Sequence, residues 1–164
     1  MSLIIVTGSN IGNSLQNLEL AKNLLSQELV FIAQSRVYKS EPVDYLEQPD
    51  FYNQALEFKS PNKKPEELLL LTQKIEKKIG RNKVIYKGPR NIDIDIIFYD
   101  DISFKNETLE IPHPAWSQRS FVVNPIKDKE GNYKAKKWMF YFYGKSDTII
   151  SSKMEIPENR TYNL

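Results

Sequence analysis

The sequence predicts an α+β fold in which helices pack on a largely antiparallel sheet. Extended and helical segments follow in the order strand, helix, strand, strand, helix, strand, which is typical of a ferredoxin-like three-layer sandwich. With 164 residues, the chain can bury about two-thirds of its unfolded surface around one core. No repeat, low-complexity segment or linker interrupts it, so residues 1–164 are expected to form a single domain.

The first strand and helix are predicted from an apolar run followed by helical periodicity. Residues 3–6 are typical of a short buried strand, and residues 7–13 of a turn-rich loop that lacks a P-loop or dinucleotide motif. Apolar positions then recur at intervals of three and four residues, as on one face of a helix. Asn13 is suited to cap that helix, with Gln16 three residues later.

Alternating polar and apolar residues predict two further strands. One is expected over residues 31–38 and the next over residues 51–58. Segment 41–50 between them contains two prolines and four acidic residues, so we expect an exposed loop there. In the second of these strands, alternation puts Phe51 and Asn53 on the same face.

A second helix is predicted over residues 65–79. Pro65 suits its first position, two glutamates follow in the first turn, and lysines approach Gly80 at the other end. A basic loop over residues 80–90 and a strand over residues 92–99 come next.

The remainder of the chain gives fewer signals. Segments 109–112 and 121–125 are predicted to be extended, and Pro112 and Pro114 stiffen the turn that follows the first of them. Segment 138–143 is strongly aromatic and is expected to form a strand or a strand pair.

Composition excludes several kinds of chemistry. The chain has no cysteine and one histidine, His113, which excludes disulfides, thiolate sites and a zinc site of several histidines. A metal site must therefore use carboxylate oxygens, which favour hard cations such as Mg²⁺. No apolar run approaches the roughly 20 residues of a membrane helix, and no signal peptide is recognisable. We therefore expect a cytoplasmic protein.

Charge is distributed unevenly, although the net charge is only +2. Residues 74–90 hold seven lysines and arginines against one glutamate, and four aspartates follow by residue 101. A basic block of this kind indicates either a solvated face or a phosphate site.

Asp93 and Asp95 are the sharpest candidates for a metal site. In a strand they share one face, with Cα atoms about 7 Å apart, while the isoleucines at 92, 94 and 96 face the core. Two such carboxylates repel each other, whereas Mg²⁺ would satisfy both and Arg90 adds a nearby cation. The alternative is an ordinary half-buried strand with a polar outer face. The adjacent basic block favours a site that holds a polyphosphate.

Aromatic and polar residues elsewhere are suited to a flat heterocycle. Phe51 offers a ring, Asn53 an amide that both donates and accepts hydrogen bonds, and Phe121 a second ring. Each aromatic residue could instead belong to the core, which is the commoner role. His113 and Arg119 are suited to phosphate contacts, although a histidine at the surface is equally plausible.

Together these motifs resemble the 6-hydroxymethyl-7,8-dihydropterin pyrophosphokinase family. The resemblance covers about residues 3–126, and residues 127–164 form a divergent carboxyl-terminal extension. The motifs that carry it are Gly8-Ser9-Asn10, Gln48-Pro49-Asp50-Phe51-Tyr52-Asn53, Gln73 and Glu76, Gly80-Arg81, Gly88-Pro89-Arg90, Asp93-Ile94-Asp95, Ile111-Pro112-His113-Pro114, and Arg119 with Phe121-Val122.

The resemblance implies roles for individual residues. Asp93 and Asp95 would be the metal ligands and, with Arg81 and Arg90, the catalytic residues. The pterin-binding residues it implies are Asn10, Ser40, Glu41, Pro42, Val43, Phe51, Asn53 and Phe121. The nucleotide-binding residues it implies are Gln73, Glu76, Lys83, Lys87, His113 and Arg119.

The family transfers the pyrophosphoryl group of ATP to the hydroxymethyl oxygen of its pterin and releases AMP, in folate biosynthesis. The resemblance thus implies an ATP-dependent enzyme with two Mg²⁺ ions, small-molecule substrates, no nucleic-acid or membrane partner, and a monomeric state. One alternative is an RNA-binding module, against which the aspartate pair argues because it would repel a phosphate backbone. The other is an inactive relative that binds a partner through its aromatic tail, against which the retained aspartates and Arg90 argue.

Overall fold

The structure, a computed structural model, describes residues 1–35, 37–40, 42, 46–80 and 88–114. These residues form an α+β fold with a largely antiparallel sheet, as the sequence predicts. In chain order, their elements are β1 (Ser2–Ser9), α1 (Ser14–Glu28), β2 (Phe31–Gln34), β3 (Tyr38–Ser40), β4 (Phe51–Lys59), α2 (Pro65–Ile79), β5 (Asp93–Tyr99), β6 (Phe104–Lys105) and β7 (Glu110–Ile111).

The central strand of the main sheet is β1, which lies between β4 and β5. The strand order is β2-β4-β1-β5, with β3 also paired to β4, and every pairing is antiparallel. β6 and β7 form a separate two-stranded sheet. Because β1 is hydrogen-bonded on both sides, its residues from Leu3 to Gly8 have neighbours of the same face on β4 and on β5.

Both helices pack on one face of this sheet. α1 lies against β1 and β4, and α2 lies against β5 and α1. The helices bury the apolar stripes that their periodicity predicts, including Leu18, Leu25, Leu68 and Ile75. From the sheet, the same core receives Leu3, Ile5, Leu56, Phe58, Ile94 and Ile96.

The predicted start of α1 and both predicted ends of α2 are confirmed. Asn13 Oδ1 accepts a hydrogen bond from the Gln16 N–H at 3.1 Å, which satisfies one of the free amides of the first turn. α2 begins at Pro65 and ends at Gly80, whose φ of 102° lies in the left-handed region that favours glycine.

The first strand is longer than the sequence predicts. The loop expected at 7–13 is wrong for its first three residues, which continue β1 to Ser9. Thr7 pairs with Gln54 on one side and with Ile94 on the other. Ladder hydrogen bonds on both sides outweigh the preference of glycine and serine for turns.

The single strand predicted over residues 31–38 is wrong, because it is divided into β2 and β3. Ser35 marks the division. Its main-chain N–H donates to the Ala55 carbonyl at 2.9 Å, and its Oγ accepts from the Ala55 N–H at 2.9 Å. A side-chain oxygen therefore takes the place that a main-chain carbonyl has in a continuous ladder. β2 pairs with the second half of β4, and β3 pairs with the first.

Other predictions are confirmed only in part. The exposed loop is confirmed over residues 46–50, where the side chains are exposed or half-buried, and β7 lies within the extended segment predicted at 109–112. The basic loop over 81–87, the extended segment 121–125 and the aromatic segment 138–143 lie outside the described residues. Among the residues that are described, no helix has both the length and the apolar character needed to span a bilayer.

Candidate active site

The sheet face opposite the helices carries the predicted site residues in two rows that cross three strands. The first row is Asn53 on β4, Gly8 on β1 and Asp93 on β5. The second row, one step along, includes Val6 in the centre and Asp95 on β5. Because paired residues of neighbouring strands project from the same face, the amide of Asn53 and both carboxylates share this surface.

Gly8 is the position of the first row where any side chain would collide with a neighbour. A Cβ atom at this position would lie 2.8 Å from Asn53 Oδ1 and 3.8 Å from Phe51 Cδ1. The first distance is shorter than any ordinary non-bonded contact, so the side chain of Asn53 occupies the space that a larger residue would need. Gly8 therefore allows the Asn53 side chain to lie over β1, between β4 and β5.

The two aspartates are held by the main chain of β5 and by α2. Ile94 lies between them, and its N–H donates to Glu76 Oε1 at 2.8 Å. Glu76 is 7% exposed and comes from the buried side of α2. This hydrogen bond fixes the main chain of β5 between the two aspartates. It is a strong bond, because a charged acceptor forms a stronger hydrogen bond than a neutral one.

Arg90 connects the aromatic side of the site with the carboxylates. Its Nε lies 3.1 Å from Asp93 Oδ2, an ion pair whose geometry falls short of an aligned hydrogen bond. The guanidinium carbon lies 4.8 Å from the centroid of the Phe51 ring, within the range of a cation–π interaction. One terminal nitrogen donates to the Gly88 carbonyl at 3.3 Å. Arg90 thus places a positive charge between the ring and the carboxylate pair.

His113 reaches the second carboxylate from the segment after β7. Its Nε2 lies 4.0 Å from Asp95 Oδ2, and its main-chain N–H donates to the Ile97 carbonyl at 3.0 Å. The turn that carries it begins with a cis peptide bond between Ile111 and Pro112. His113 therefore borders the same surface as the aspartates.

An ion pair joins β3 to the segment before β4, residues 46–50. Lys39 Nζ on β3 lies 3.2 Å from Asp50 Oδ2. The hydrogen bond to Asp50, together with the attraction of its charge, raises the pKa of the Lys39 ammonium above its ordinary value. The pair joins β3 to the residue that precedes β4.

The described residues therefore bring six of the predicted site residues to one surface: Phe51, Asn53, Arg90, Asp93, Asp95 and His113. Asn10 adjoins this surface through hydrogen bonds to Arg90. Gln73 is exposed on α2, the Ser40 backbone pairs with Phe51, and Pro42 is half-buried. The predictions for Glu41, Val43, Arg81, Lys83, Lys87, Arg119 and Phe121 fall outside the described residues.

Sequence reasoning missed two features of this site. It interpreted Gly8 as part of a turn, although a glycine inside a strand often marks a place where another group approaches closely. It also assigned Glu76 to the nucleotide alone and missed its hydrogen bond to Ile94. No local signal shows that bond, because it joins α2 to β5 across the loop between them.

The donor set fits Mg²⁺. No group of three or more acidic or histidine side chains suited to a metal occurs among the described residues, but Asp93 and Asp95 provide a pair of carboxylates on this surface. Mg²⁺ is commonly held by one or two carboxylates, with water and substrate phosphates completing its shell. Two aspartates on one strand face match that requirement.

Fold and site together define an α+β protein whose sheet carries a carboxylate pair beside an arginine, a combination typical of proteins that bind phosphorylated ligands with a divalent cation. The sequence profile of one family, 7,8-dihydro-6-hydroxymethylpterin-pyrophosphokinase (HPPK), matches residues 4–130. The chain belongs to this family.

Individual relatives agree with the profile. The chain is 38% identical over 126 residues to the 2-amino-4-hydroxy-6-hydroxymethyldihydropteridine pyrophosphokinase of Bacillus subtilis, across 76% of this chain and 75% of that protein. It is 37% identical over 125 residues to the protein of the same name from Aquifex aeolicus, across 76% of this chain and 78% of that protein.

A third relative is much longer. The folic acid synthesis protein fol1 of Pneumocystis carinii is 39% identical over 132 residues, across 80% of this chain and 18% of that protein. The chain therefore spans less than a fifth of the length of this relative.

Proposed function

We propose that this protein transfers the pyrophosphoryl group of ATP to the hydroxymethyl oxygen of 6-hydroxymethyl-7,8-dihydropterin, giving AMP and the pterin diphosphate in folate biosynthesis. The observation that carries the proposal is the row of Asn53, Gly8 and Asp93 across three neighbouring strands. The Asn53 amide and the Asp93 carboxylate flank Gly8 on the same sheet face, which supports a role for the first in binding the heterocycle and for the second in binding the metal. Membership of the family supports the same reaction.

The pterin would lie over Gly8, with its ring against Phe51 and its polar edge on Asn53. Phe51 offers an aromatic face, and Asn53 offers both a donor and an acceptor to an edge that carries both. Gly8 allows Asn53 to take its position on this face, because any Cβ there would collide with Asn53 Oδ1. The backbone from Ser40 to Val43, including Glu41 and Pro42, and the ring of Phe121 complete the pterin pocket in this proposal.

The phosphates would lie on the side of Asp93 and Asp95, which would hold two Mg²⁺ ions. When bound, the ions neutralise phosphate charge and favour displacement at phosphorus. Arg90 sits between Phe51 and Asp93, so its guanidinium can bind the transferring group with two parallel hydrogen bonds. Arg81 adds a second cation. The nucleotide contacts proposed are Gln73, Glu76, Lys83, Lys87, His113 and Arg119.

The protein needs no nucleophile of its own for this reaction. The attacking oxygen belongs to the pterin, so the protein contributes alignment, charge and exclusion of water. This agrees with a chain that contains no cysteine.

Three further proposals, on the fold, the location and the oligomeric state, accompany this function. The strand order β2-β4-β1-β5, with both helices on one face, supports a ferredoxin-like core. The absence of cysteine supports a reducing, cytoplasmic location. We also propose that the protein is a monomer that binds small-molecule substrates and has no nucleic-acid or membrane partner.

Separation of the nucleotides after the reaction tests the function. The purified protein is incubated with Mg²⁺, ATP and 6-hydroxymethyl-7,8-dihydropterin, and we expect AMP to form together with the pterin diphosphate. Formation of ADP, or no AMP from a folded protein, would overturn the proposal. Asp93→Asn should abolish AMP formation, whereas Asp101→Asn, in the exposed turn after the opposite end of β5, should leave it unchanged.

A further inference from the structure

Asn10 lies where three segments of the site meet. It directly follows β1, it is 4% exposed, and it contacts both the segment before β4 and the segment before β5. The family resemblance assigns it to the pterin. Its side-chain hydrogen bonds nevertheless run to the protein itself.

The side-chain amide of Asn10 donates two hydrogen bonds, to Gln48 Oε1 at 3.0 Å and to the Pro49 carbonyl at 2.9 Å. Its Oδ1 accepts from the Arg90 N–H at 2.9 Å, and its main-chain N–H donates to the Arg90 carbonyl at 3.2 Å. A side-chain amide has two hydrogens to donate, so Asn10 has none left for a ligand.

We infer that Asn10 is a positioning residue that holds the segment before β4, residues 46–50, at a fixed separation from Arg90. Gln48 and Pro49 are separated from Phe51 by Asp50 alone, and the guanidinium of Arg90 lies over the ring of Phe51. The buried side chain of Asn10 therefore links the segment that leads into Phe51, the proposed support of the heterocycle, to Arg90, the proposed cation at the phosphates. The inference rests on the proposed function, because this separation matters only when both substrates are bound together.

Loss of this link should impair the reaction more than the binding of ATP. A reacting group that is displaced by about 1 Å can lose on the order of 100-fold in rate. Without the side chain of Asn10, the main-chain bond to the Arg90 carbonyl remains, so the fold should persist while the segments drift apart. We expect a fall in kcat with little change in the KM for ATP.

Asn17 provides a matched control. Its side-chain amide also donates two hydrogen bonds, to Ser9 Oγ at 3.2 Å and to the Ile11 carbonyl at 3.1 Å. Both partners lie within eight positions of Asn17 in the chain, so these bonds do not reach the segments before β4 and β5. Asn10→Ala should lower kcat about 10- to 100-fold, the range found when groups that orient a site are removed. Asn17→Ala should change kcat by less than about threefold.

Gln48→Ala tests the same link from its other end. Alone it should lower kcat less than Asn10→Ala does, because Pro49 and Arg90 keep their bonds to Asn10. Added to Asn10→Ala it should have little further effect, since the two variants remove one shared contact. Equal kcat for the Asn10 and Asn17 variants, fully additive losses, or a change confined to the KM for the pterin would each overturn the inference.

Hydrogen exchange gives a readout that does not depend on turnover. The Arg90 amide, which donates to Asn10 Oδ1, should exchange at least about tenfold faster in Asn10→Ala and at its normal rate in Asn17→Ala. Unchanged exchange at Arg90 would overturn the inference whatever the reaction is. A wild-type protein that forms no AMP would instead overturn the proposed function alone, and the exchange rates would still decide the role of Asn10. If Asn10→Ala does not fold, Asn10→Asp keeps the acceptor for Arg90 but loses both donors, so faster exchange should move to the amides of residues 50–51.

Discussion

The two faces of β5 differ in chemistry although they alternate along one strand. Ile94 and Ile96 lie under the helices and are at most 4% exposed. Asp93 and Asp95 project from the opposite face, with side chains 17% and 25% exposed. The burial that stabilises the strand therefore uses none of the residues that form the site. The two faces should respond to substitution in different ways, one through stability and the other through activity.

The largest effect is expected on the site face. Asp95→Ala should lower Mg²⁺-dependent turnover on the order of 10³-fold, because it removes one of the two carboxylates proposed to hold the cation. The free energy of unfolding should change by less than about 0.5 kcal/mol, since the side chain is not part of the core. AMP formation and urea unfolding check the two effects.

Asp101→Ala is the control for this variant, because that carboxylate is exposed in the turn after β5. It should match the wild type in both measurements. Turnover of Asp95→Ala within tenfold of the wild type would remove this residue from the metal site.

On the helix face, Ile94→Ala should do the reverse. Removing a buried isoleucine leaves a cavity and should lower the free energy of unfolding by about 3 kcal/mol. Turnover at a temperature where the variant is folded should stay within about tenfold. Ile32→Ala on β2 is the control, because Ile32 is 50% exposed and should lose less than about 1 kcal/mol. Equal losses for the two variants would contradict the assignment of Ile94 to the core.

Glu76 tests whether the two faces are coupled. Glu76→Ala leaves the Ile94 N–H without its acceptor and should cost about 2 kcal/mol of stability. Turnover should fall as well, because the same bond fixes the strand between the two aspartates. Glu76→Gln retains a side-chain oxygen and should restore most of the stability. Urea unfolding measures the stability of both variants, and AMP formation measures their turnover. Equal losses in Glu76→Gln and Glu76→Ala would show that Glu76 acts only through its charge.

The smallest effect is expected at Gly8. Gly8→Ala forces the side chain of Asn53 to move, which should cost about 1 kcal/mol and raise the KM for the pterin about tenfold. Gly12→Ala is the matched control, since its φ of 68° makes alanine unfavourable while nothing lies within 4 Å of the new Cβ. It should lose similar stability without a change in that KM. A normal KM for Gly8→Ala would place the pterin elsewhere.

Much of the fold is predictable from the sequence, because its signals are local. Alternation over residues 92–96 predicts both faces of β5, and Pro65 with Gly80 predicts both ends of α2. The aspartate pair follows from the same period of two. These features depend on residues that are close in the chain.

The remainder depends on contacts between distant residues. Ser35 divides β2 from β3 through Ala55, which lies twenty positions away. Gly8 continues β1 because strands β4 and β5 flank it, and Asn10 meets Arg90 across eighty positions. No local pattern encodes these pairings. The sequence accordingly predicts that Asp93 and Asp95 share one face, but not that Asn10 and Glu76 bond to the segments around them.

The position of Gly8 between Asn53 and Asp93 gives the site a width that the sheet determines. Asn53 and Asp93 belong to strands that are two positions apart, and neighbouring antiparallel strands lie about 4.8 Å apart, so their backbones are separated by about 9.6 Å. A compound that binds Asn53 at one edge and brings a hydroxyl group to the aspartates must extend across the intervening strand β1. The spacing of main-chain hydrogen bonds, which no point substitution alters, would then set the length of the acceptor.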